Sequence, residues 1–439
     1  MSGFRSLGQE MHELATRLYP MHRAVTGEGV RQTFAEIAAL VPLQVNEIPS
    51  GTDVLGWEVP QEWSLRDAFI ADADTGERLV DIHDSNLHVV NCSMPVDEQM
   101  SWAQLEPYLW TVPQFPDRIP YRTGYFRETW GFCLSENQKT RLADRDAGYR
   151  VSIDSRFFAG SLSYGEVDIA GRSDRTVLLY THCCHPSLAN DNLSGIVVAS
   201  YLAKALQDRQ LKHSYRIVMA PATIGAISWL SCNEDLCRRI DYGLVLSLLG
   251  DSGNFTYKNS RRETAAVDRI AGEVVSSSGG SVRSFTPQGY DERQFCSPGF
   301  NLPVGCLMRT PPGEFNQYHT SADDLDFIRA DSLQESLEVC LQIVDRIERN
   351  VVPISSHQKG EPRLGDFGLY RAYGEAGHDG QLQQAIMWVL NQADGDTDLN
   401  AIATRSGLPL DLIRHATARL IEHGLVAETT DSGAPQIER

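Results

Sequence analysis

The chain has 439 residues, which is long for a single hydrophobic core and favours two or three domains. A composition with 42% hydrophobic and 22% charged residues is typical of a folded globular protein and excludes a disordered one. The formal net charge of −19 opposes nucleic-acid binding, because phosphate contacts need clustered lysine and arginine.

The location of the chain is indicated by its apolar runs and its cysteines. No run of eighteen apolar residues occurs, and the first twenty residues are a mixed polar stretch, so neither a membrane span nor a secretory signal is predicted. The nine cysteines include the adjacent pair Cys183 and Cys184 but no CxxC motif. This usage favours reduced thiols and a cytoplasmic protein.

In the first third of the chain, the pattern of apolar residues changes near residue 45. Residues 6–41 have helical periodicity, whereas residues 45–139 contain short alternating apolar pieces separated by turn signals. One such signal is Asp-Thr-Gly at 74–76, which is typical of a hairpin loop. The pattern predicts a β-rich domain over 45–139, inserted into a larger domain formed by residues 1–44 and 140–355.

The larger domain alternates apolar strands with helices. The predicted strands lie at 177–180, 215–220, 242–249 and 302–308. The predicted helices lie at 195–206, 268–278 and 331–348. Continuous apolar strands that alternate with helices indicate an α/β domain, in which a mostly parallel sheet is flanked by helices.

The tail over 360–439 is predicted to be a separate winged helix-turn-helix domain. Its pattern is helix, helix, turn at Gly407, helix, and a strand after Gly424. Its positive and negative charges nearly cancel, so no nucleic-acid binding is expected. The tail is expected instead to pack on the α/β domain or on a second copy of the chain, which would make the protein a homo-oligomer.

Metal-ligand residue types follow three of the four predicted strands. Because ligands of parallel sheets bind beyond the carboxyl ends of the strands, the residues that follow each strand are the candidates for the site. They are His182, His185 and Asp191 after the first strand, Ala222 after the second, Asp251 after the third and His319 after the fourth. Imidazole and carboxylate together bind zinc, and also manganese or iron.

Each of these residues alone also has a structural explanation. His182 is predicted to be a packing residue rather than a ligand. Asp191 is a candidate helix N-cap, Asp251 a candidate turn former, and His319 a candidate loop histidine. Their joint placement at strand ends favours a metal site over these separate roles.

The order His185, Asp191, position 222, Asp251, His319 is similar to that of the co-catalytic zinc aminopeptidases. Asn190-Asp191-Asn192 followed by Ser194-Gly195 resembles the turn whose carboxylate bridges two zinc ions in that family. Tyr318-His319-Thr320 followed by Asp323 resembles its final histidine motif. The resemblance implies that His185, Asp191, Asp251 and His319 hold one or two zinc ions.

A narrower resemblance covers nearly the whole chain. It is to bacterial aminopeptidase-like proteins, often encoded beside polysaccharide or natural-product biosynthesis genes, that carry an inserted β domain and a C-terminal winged helix. The stretches that carry it lie at 50–70, 85–96, 119–135, 184–195, 290–305 and 318–328. This resemblance implies a metal-dependent hydrolase of a peptide or of a small acylated metabolite, acting on an amide bond.

Ala222 departs from the family pattern. The family has a glutamate within Pro-Glu-Thr-Ile-Gly, and this chain has Pro-Ala-Thr-Ile-Gly at 221–225. In the wider aminopeptidases that region supplies the general base. Three explanations are open: another carboxylate serves, the protein is a non-catalytic ligand-binding or regulatory relative, or the alanine is an engineered inactivating change. The alternative carboxylates are Glu166, Glu234, Glu263 and Glu314.

Substrate contacts are predicted in loops at the same sheet edge. The residues are Tyr290, Asp291, Arg293 and Tyr318. Arg293 has the geometry to bind a carboxylate with two hydrogen bonds, although a surface ion pair is the favoured interpretation for it alone.

Overall fold

The computed structural model describes residues 6–145, 148–370, 380–395 and 397–428 of the chain. Its α-helices are α1 (Leu7–Leu18), α2 (Glu28–Ala38), α3 (Trp102–Leu105), α4 (Glu136–Ala143), α5 (Gly195–Gln207), α6 (Ile224–Cys232), α7 (Glu234–Cys237), α8 (Ala266–Ser277), α9 (Glu292–Phe295), α10 (Ala330–Glu348), α11 (Gly380–Gln392), α12 (Leu399–Ser406) and α13 (Leu410–Glu422).

The strands that the same residues form are β1 (Gln44–Pro49), β2 (Asp53–Val54), β3 (Trp57–Glu58), β4 (Glu62–Asp72), β5 (Arg78–Asp81), β6 (Val96–Met100), β7 (Leu109–Trp110), β8 (Phe132–Cys133), β9 (Tyr149–Phe158), β10 (Ser161–Ile169), β11 (Thr176–His182), β12 (Ser214–Ala220), β13 (Ile240–Leu246), β14 (Thr256–Lys258), β15 (Ser281–Arg283), β16 (Val304–Met308), β17 (Pro353–Ser355) and β18 (Val426–Glu428).

The main sheet has eight strands in the order β1-β10-β12-β11-β13-β16-β14-β15. Its centre, β12-β11-β13-β16, is parallel, whereas β1, β10 and β14 join through antiparallel pairs. Every residue of β11 is buried, as expected for a strand covered on both faces. The predicted α/β class is therefore confirmed, and the carboxyl ends of the four central strands meet at one edge.

The amphipathic helix α1 shows how the sequence supports this sheet. Ser6 and Gln9 form a reciprocal capping box at its amino end. Met11, Leu14 and Leu18 recur at helical spacing and are almost fully buried, so one face of the helix contributes to the core.

The region of the predicted insertion contains a four-stranded antiparallel sheet in the order β5-β4-β9-β6. Because β9 pairs along its whole length with β4, the insertion extends to residue 158 rather than 139. The strand β1 pairs with β10 and so belongs to the main sheet, which moves the start of the insertion beyond residue 49. The predicted hairpin loop at 74–76 joins β4 to β5, and Gly76 has a positive φ of 74° there.

The described residues from 345 onward form a compact unit of their own. Helices α11, α12 and α13 pack around buried side chains such as Ile386, Ile402 and Leu420. Gly407 ends α12 with a φ of 69°, as a left-handed C-cap does. The strand β17 pairs with β18, so the winged helix-turn-helix begins near residue 353 rather than 360.

No helix among the described residues combines the length and the apolar character that crossing a membrane requires.

Candidate metal centre and active site

The carboxylate of Asp191 lies at the centre of the site. It is completely buried in the loop after β11. Its Oδ1 lies 2.9 Å from His182 Nε2, and its Oδ2 lies 2.9 Å from His319 Nε2. One carboxylate thus joins a histidine at the end of β11 to a histidine in the loop that follows β16.

His185 completes a group of metal-ligand type. Ligand atoms of His182, His185 and Asp191 all lie within 4.8 Å of one another. The rings of His185 and His319 are 5.3 Å apart between centroids, so the fourth candidate adjoins this group. Two nitrogen or oxygen ligands of one zinc ion lie at most about 4.4 Å apart, because each bond is roughly 2.0–2.2 Å long. The donor set and its spacing therefore fit a divalent metal after small side-chain movements.

The protonation states of this group also suit a metal. Burial alone would raise the pKa of Asp191, but the adjacent histidines, His185 foremost, hold it well below its usual range. Burial lowers the pKa of His185 to about 3, against the opposing attraction of Asp191. An ionised carboxylate and a neutral imidazole are the forms in which both groups bind metal ions.

Asp323 fixes the backbone that presents Asp191. Its buried carboxylate accepts the backbone N–H of Asn190 at 2.6 Å and of Asp191 at 2.9 Å. Burial raises the pKa of Asp323 to about 8 in spite of these bonds. The acidic residue that follows the histidine motif in the sequence therefore holds the turn on which Asp191 lies.

Asp251 lies outside the group of ligand atoms. Its carboxylate accepts hydrogen bonds from Asn190 Nδ2 at 3.0 Å, from the backbone N–H of Gly253 at 2.7 Å and from the hydroxyl of Thr310 at 2.7 Å. These bonds occupy both of its oxygens. The geometry therefore favours His182, interpreted from the sequence as a packing residue, over Asp251 as a ligand.

Ala222 follows β12, and β12 lies beside β11 in parallel register, with Ala220 opposite His182. The two strands are therefore neighbours in the sheet. The alanine is half-buried, and its carbonyl oxygen lies 3.9 Å from the sulfur of Cys184. Position 222 supplies no acid or base.

The four alternative carboxylates are engaged elsewhere or exposed. Glu166 accepts hydrogen bonds from Trp229 and Arg216, and Glu263 accepts one from the backbone of Phe285. Glu234 is exposed at the start of α7. Glu314 forms a bidentate ion pair with Arg283, at 2.5 and 2.9 Å. The geometry does not support any of them, Glu314 included, as the catalytic base.

The predicted substrate residues divide into two groups. The ring of Tyr290 stacks on His182 with a centroid distance of 4.8 Å, and its hydroxyl lies 3.4 Å from Asp191 Oδ1. The ring of Tyr318 stacks on His319 at 4.0 Å. These two tyrosines line the candidate metal centre.

Asp291 and Arg293 differ from the tyrosines. Asp291 is fully buried, and neither of its carboxylate oxygens has a hydrogen-bond partner in the described part of the chain. Burial raises its pKa to about 7, so the carboxyl is largely protonated below neutral pH. Arg293 is exposed to solvent, as its surface interpretation requires.

Two tyrosines of the inserted domain reach the site and were not singled out from the sequence. The ring of Tyr121 contacts both His185 and His319, and the hydroxyl of Tyr125 hydrogen-bonds the backbone after Ala222. No periodicity or motif in 119–135 indicates these contacts, because they join segments about 60 to 200 residues apart in the chain.

Solved structures share this arrangement of sheet and helices. A zinc aminopeptidase from Bacillus subtilis superposes with a TM-score of 0.56 at 12% identity, covering 78% of this chain and 96% of that one. A peptidase M28 from Shewanella amazonensis gives 0.54 at 14% identity, covering 77% of this chain and 92% of the other. At such identities the likeness defines the fold, which is that of the zinc aminopeptidases.

The chain belongs to the family described as a domain of unknown function, DUF4910, whose model matches residues 12–350. A second model, described as a winged helix-turn-helix, matches residues 352–428 and confirms the nature of the tail.

A relative from Clostridium acetobutylicum is 44% identical over 416 residues, covering 94% of this chain and 95% of its own. It is described as a polysaccharide biosynthesis protein with an aminopeptidase-like domain. A crystal structure of a peptidase-type protein from the same organism superposes with a TM-score of 0.80 at 41% identity, covering 96% of each chain. The similarity therefore extends over the α/β domain, the insertion and the tail together.

Proposed function

We propose that this protein is a metal-dependent amide hydrolase of the aminopeptidase type. The observation that carries the proposal is the buried carboxylate of Asp191, which contacts His182 and His319 at 2.9 Å each and lies beside His185. Zinc is the proposed ion, and manganese and iron suit the same nitrogen and oxygen donors. A divalent metal in this position supplies Lewis acidity, which polarises a carbonyl and makes water more acidic.

The protein's own residues would hold and orient the reacting groups. The imidazole of His185 is neutral at physiological pH because its pKa is depressed, so it needs to release no proton before it binds a metal. Tyr290 and Tyr318 stack on two of the proposed ligands and limit the rotation of those rings.

The proposed substrate is an amide bond next to a free amine, in a peptide or in a small acylated metabolite. The description of the Clostridium acetobutylicum relative favours a biosynthetic amide over a nutritional peptide. The contact residues proposed for it are Tyr290, Tyr318 and the buried Asp291. An exposed Arg293 would take part only at the outer rim of the site.

A second candidate function is a degenerate peptidase that binds a ligand without cleaving it. The specific observation in its favour is Ala222, together with the engagement of Glu166 and Glu314 in other contacts. General-base catalysis contributes about 10²–10⁴-fold, so its loss leaves a slow hydrolase rather than none if the metal is bound. The proposed ligands, which a binding protein would not need, favour the hydrolase.

The two candidates are separated by a hydrolysis assay of the zinc-loaded chain. Aminoacyl amides and small N-acylated metabolites would be tested before and after chelation, and again after zinc is restored. Asp191→Asn is the matched control, because it keeps the shape of the side chain and removes its charge. Slow turnover that is lost on chelation, restored by zinc and absent in the variant supports the hydrolase. A zinc-bound chain that cleaves none of the panel but binds a member of it supports the second candidate.

A further inference from the structure

One segment of the inserted domain runs along the candidate metal centre. We call residues 118–125 the bridging segment. Its backbone pairs with the loop that carries His319: Tyr121 N–H donates to the His319 carbonyl at 2.8 Å, and Ser321 N–H donates to the Ile119 carbonyl at 2.8 Å. An isolated antiparallel bridge between Pro120 and Thr320 lies between these bonds. The inserted domain therefore contributes backbone hydrogen bonds to the loop of a proposed ligand.

Tyr121 lies between two of the proposed ligands. Its ring meets His185 edge to face with a centroid distance of 4.9 Å, and it meets His319 in the same manner at 5.2 Å. Edge-to-face contacts between rings are attractive and directional. The ring of Tyr121 therefore restricts the orientation of both imidazoles.

Tyr125 holds the backbone on either side of position 222. Its hydroxyl accepts the N–H of Thr223 at 2.9 Å and of Ile224 at 3.2 Å, and it donates to the Ala222 carbonyl at 3.2 Å. The helix α6 begins at Ile224, and the side chain of Thr223 makes no capping bond. Because the first N–H groups of a helix lack partners within the helix, the Tyr125 hydroxyl acts as its N-cap from another domain.

Asn91 ties the bridging segment to the backbone of His185. It exchanges backbone hydrogen bonds with Arg122 and Gly124, and its side-chain amide donates to the Arg23 carbonyl at 3.0 Å. The guanidinium of Arg23 in turn donates to the His185 carbonyl at 2.9 Å. Hydrogen bonds thus connect the bridging segment, through Asn91 and Arg23, to the backbone of His185.

We propose that the inserted domain is a positioning element of the metal centre, in which Tyr121 orients His185 and His319 while Tyr125 fixes residue 222. The inference rests on the proposed function only in requiring that a metal binds. Neither tyrosine is assigned a proton-transfer role. Their effect acts through the imidazoles and through the backbone that they contact.

The role of Tyr121 is tested by zinc affinity, measured by competition with a chromophoric chelator. Tyr121→Ala is expected to weaken zinc binding by roughly 10- to 100-fold, the usual cost of removing a group that orients a metal ligand. Tyr121→Phe keeps the ring and is expected to retain the wild-type affinity for zinc. Tyr108→Ala is the matched control, since Tyr108 stacks on Trp130 within the insertion and is partly exposed.

A spectroscopic readout accompanies the affinity. With cobalt in place of zinc, Tyr121→Ala is expected to change the visible absorption bands, which depend on ligand geometry, whereas Tyr108→Ala leaves them unchanged. Wild-type affinity and an unchanged cobalt spectrum in a folded Tyr121→Ala would overturn the inference alone. A wild-type chain that binds no metal would overturn the proposed function and this inference together.

The role of Tyr125 is tested by hydrogen exchange at the start of α6. Tyr125→Phe removes only the hydroxyl, and the amides of Thr223 and Ile224 are expected to exchange about two- to tenfold faster, the scale of one lost hydrogen bond. Tyr108→Phe is expected to leave these amides unchanged. Unchanged exchange in Tyr125→Phe would contradict the assigned role, whether or not the chain is catalytically active.

Discussion

Replacing Ala222 by glutamate tests whether a catalytic general base is the one group that this chain lacks for amide hydrolysis. Ala220 pairs with His182 in the sheet, and residue 222 lies two positions further along the chain. The Ala222 carbonyl lies 3.9 Å from Cys184 Sγ, and that sulfur lies 4.0 Å from His185 Nδ1. Together these distances place the Ala222 carbonyl no more than about 8 Å from the imidazole nitrogen. A glutamate side chain and one water molecule can span that gap.

The expected gain follows from the catalytic role of a base. If the metal and its ligands are otherwise intact, Ala222→Glu should raise kcat/KM for an amide substrate by about 10²–10⁴-fold. Because Ala222 is half-buried rather than part of the core, a longer side chain there displaces little packed structure. The thermal unfolding midpoint should therefore change little.

The assay compares Ala222→Glu with Ala222→Gln, which has nearly the same shape and cannot act as a base at neutral pH. Both proteins would be loaded with zinc, checked for metal content and tested on the same panel of amides. A gain in the glutamate variant alone supports the reasoning. Equal rates in the two variants, with zinc bound to both, would refute the idea that a missing base limits this site.

Three further predictions concern stability and the tail. Burial lowers the pKa of His22 to about 4 in the folded chain, so the unfolded state is protonated first as the pH falls. The free energy of unfolding therefore decreases between about pH 6.5 and pH 4, by about 2 kcal/mol at pH 5. His22→Phe, which keeps a ring against Trp63, should flatten this pH dependence of the unfolding midpoint. Lys258→Met should destabilise the fold by about 3–5 kcal/mol in denaturant unfolding, because it leaves the buried Glu292 without its ion pair, and a change below 1 kcal/mol would contradict this assignment. The winged helix should show no sequence-selective DNA binding at physiological salt in an anisotropy titration, and nanomolar selective binding would contradict the expectation.

The sequence was sufficient to predict the class of fold and the edge of the sheet where the site lies. Apolar runs identified the four central strands, and their carboxyl ends bring His185, Asp191 and His319 together. The boundary of the insertion was predicted too early, although Tyr149, Val151 and Ile153 alternate as a half-buried strand does. That strand pairs with β4, about eighty residues earlier, and alternation alone does not reveal which sheet a strand joins.

The choice between His182 and Asp251 illustrates a limit of strand-end reasoning. His182 is the last residue of β11, whereas Asp251 comes five residues after β13 ends at Leu246. Its carboxylate accepts hydrogen bonds from Asn190 and Thr310, which lie after other strands. Such bonds depend on three-dimensional positions that spacing along the chain does not encode. For the same reason, the contacts of Tyr121 and Tyr125 could not be predicted, although both residues lie in a stretch that carries the family resemblance.

The central claim is that Asp191 and the histidines around it hold a metal ion, and zinc titration of defined variants tests it most directly. Zinc content and affinity would be measured for the wild-type chain, for His182→Ala and for Asp251→Asn, with the unfolding midpoint of each recorded as a control. The account predicts that the wild type binds zinc, that His182→Ala loses at least tenfold in affinity, and that folded Asp251→Asn retains it. A wild-type chain that binds no divalent metal, or a loss of binding in Asp251→Asn but not in His182→Ala, would contradict the account.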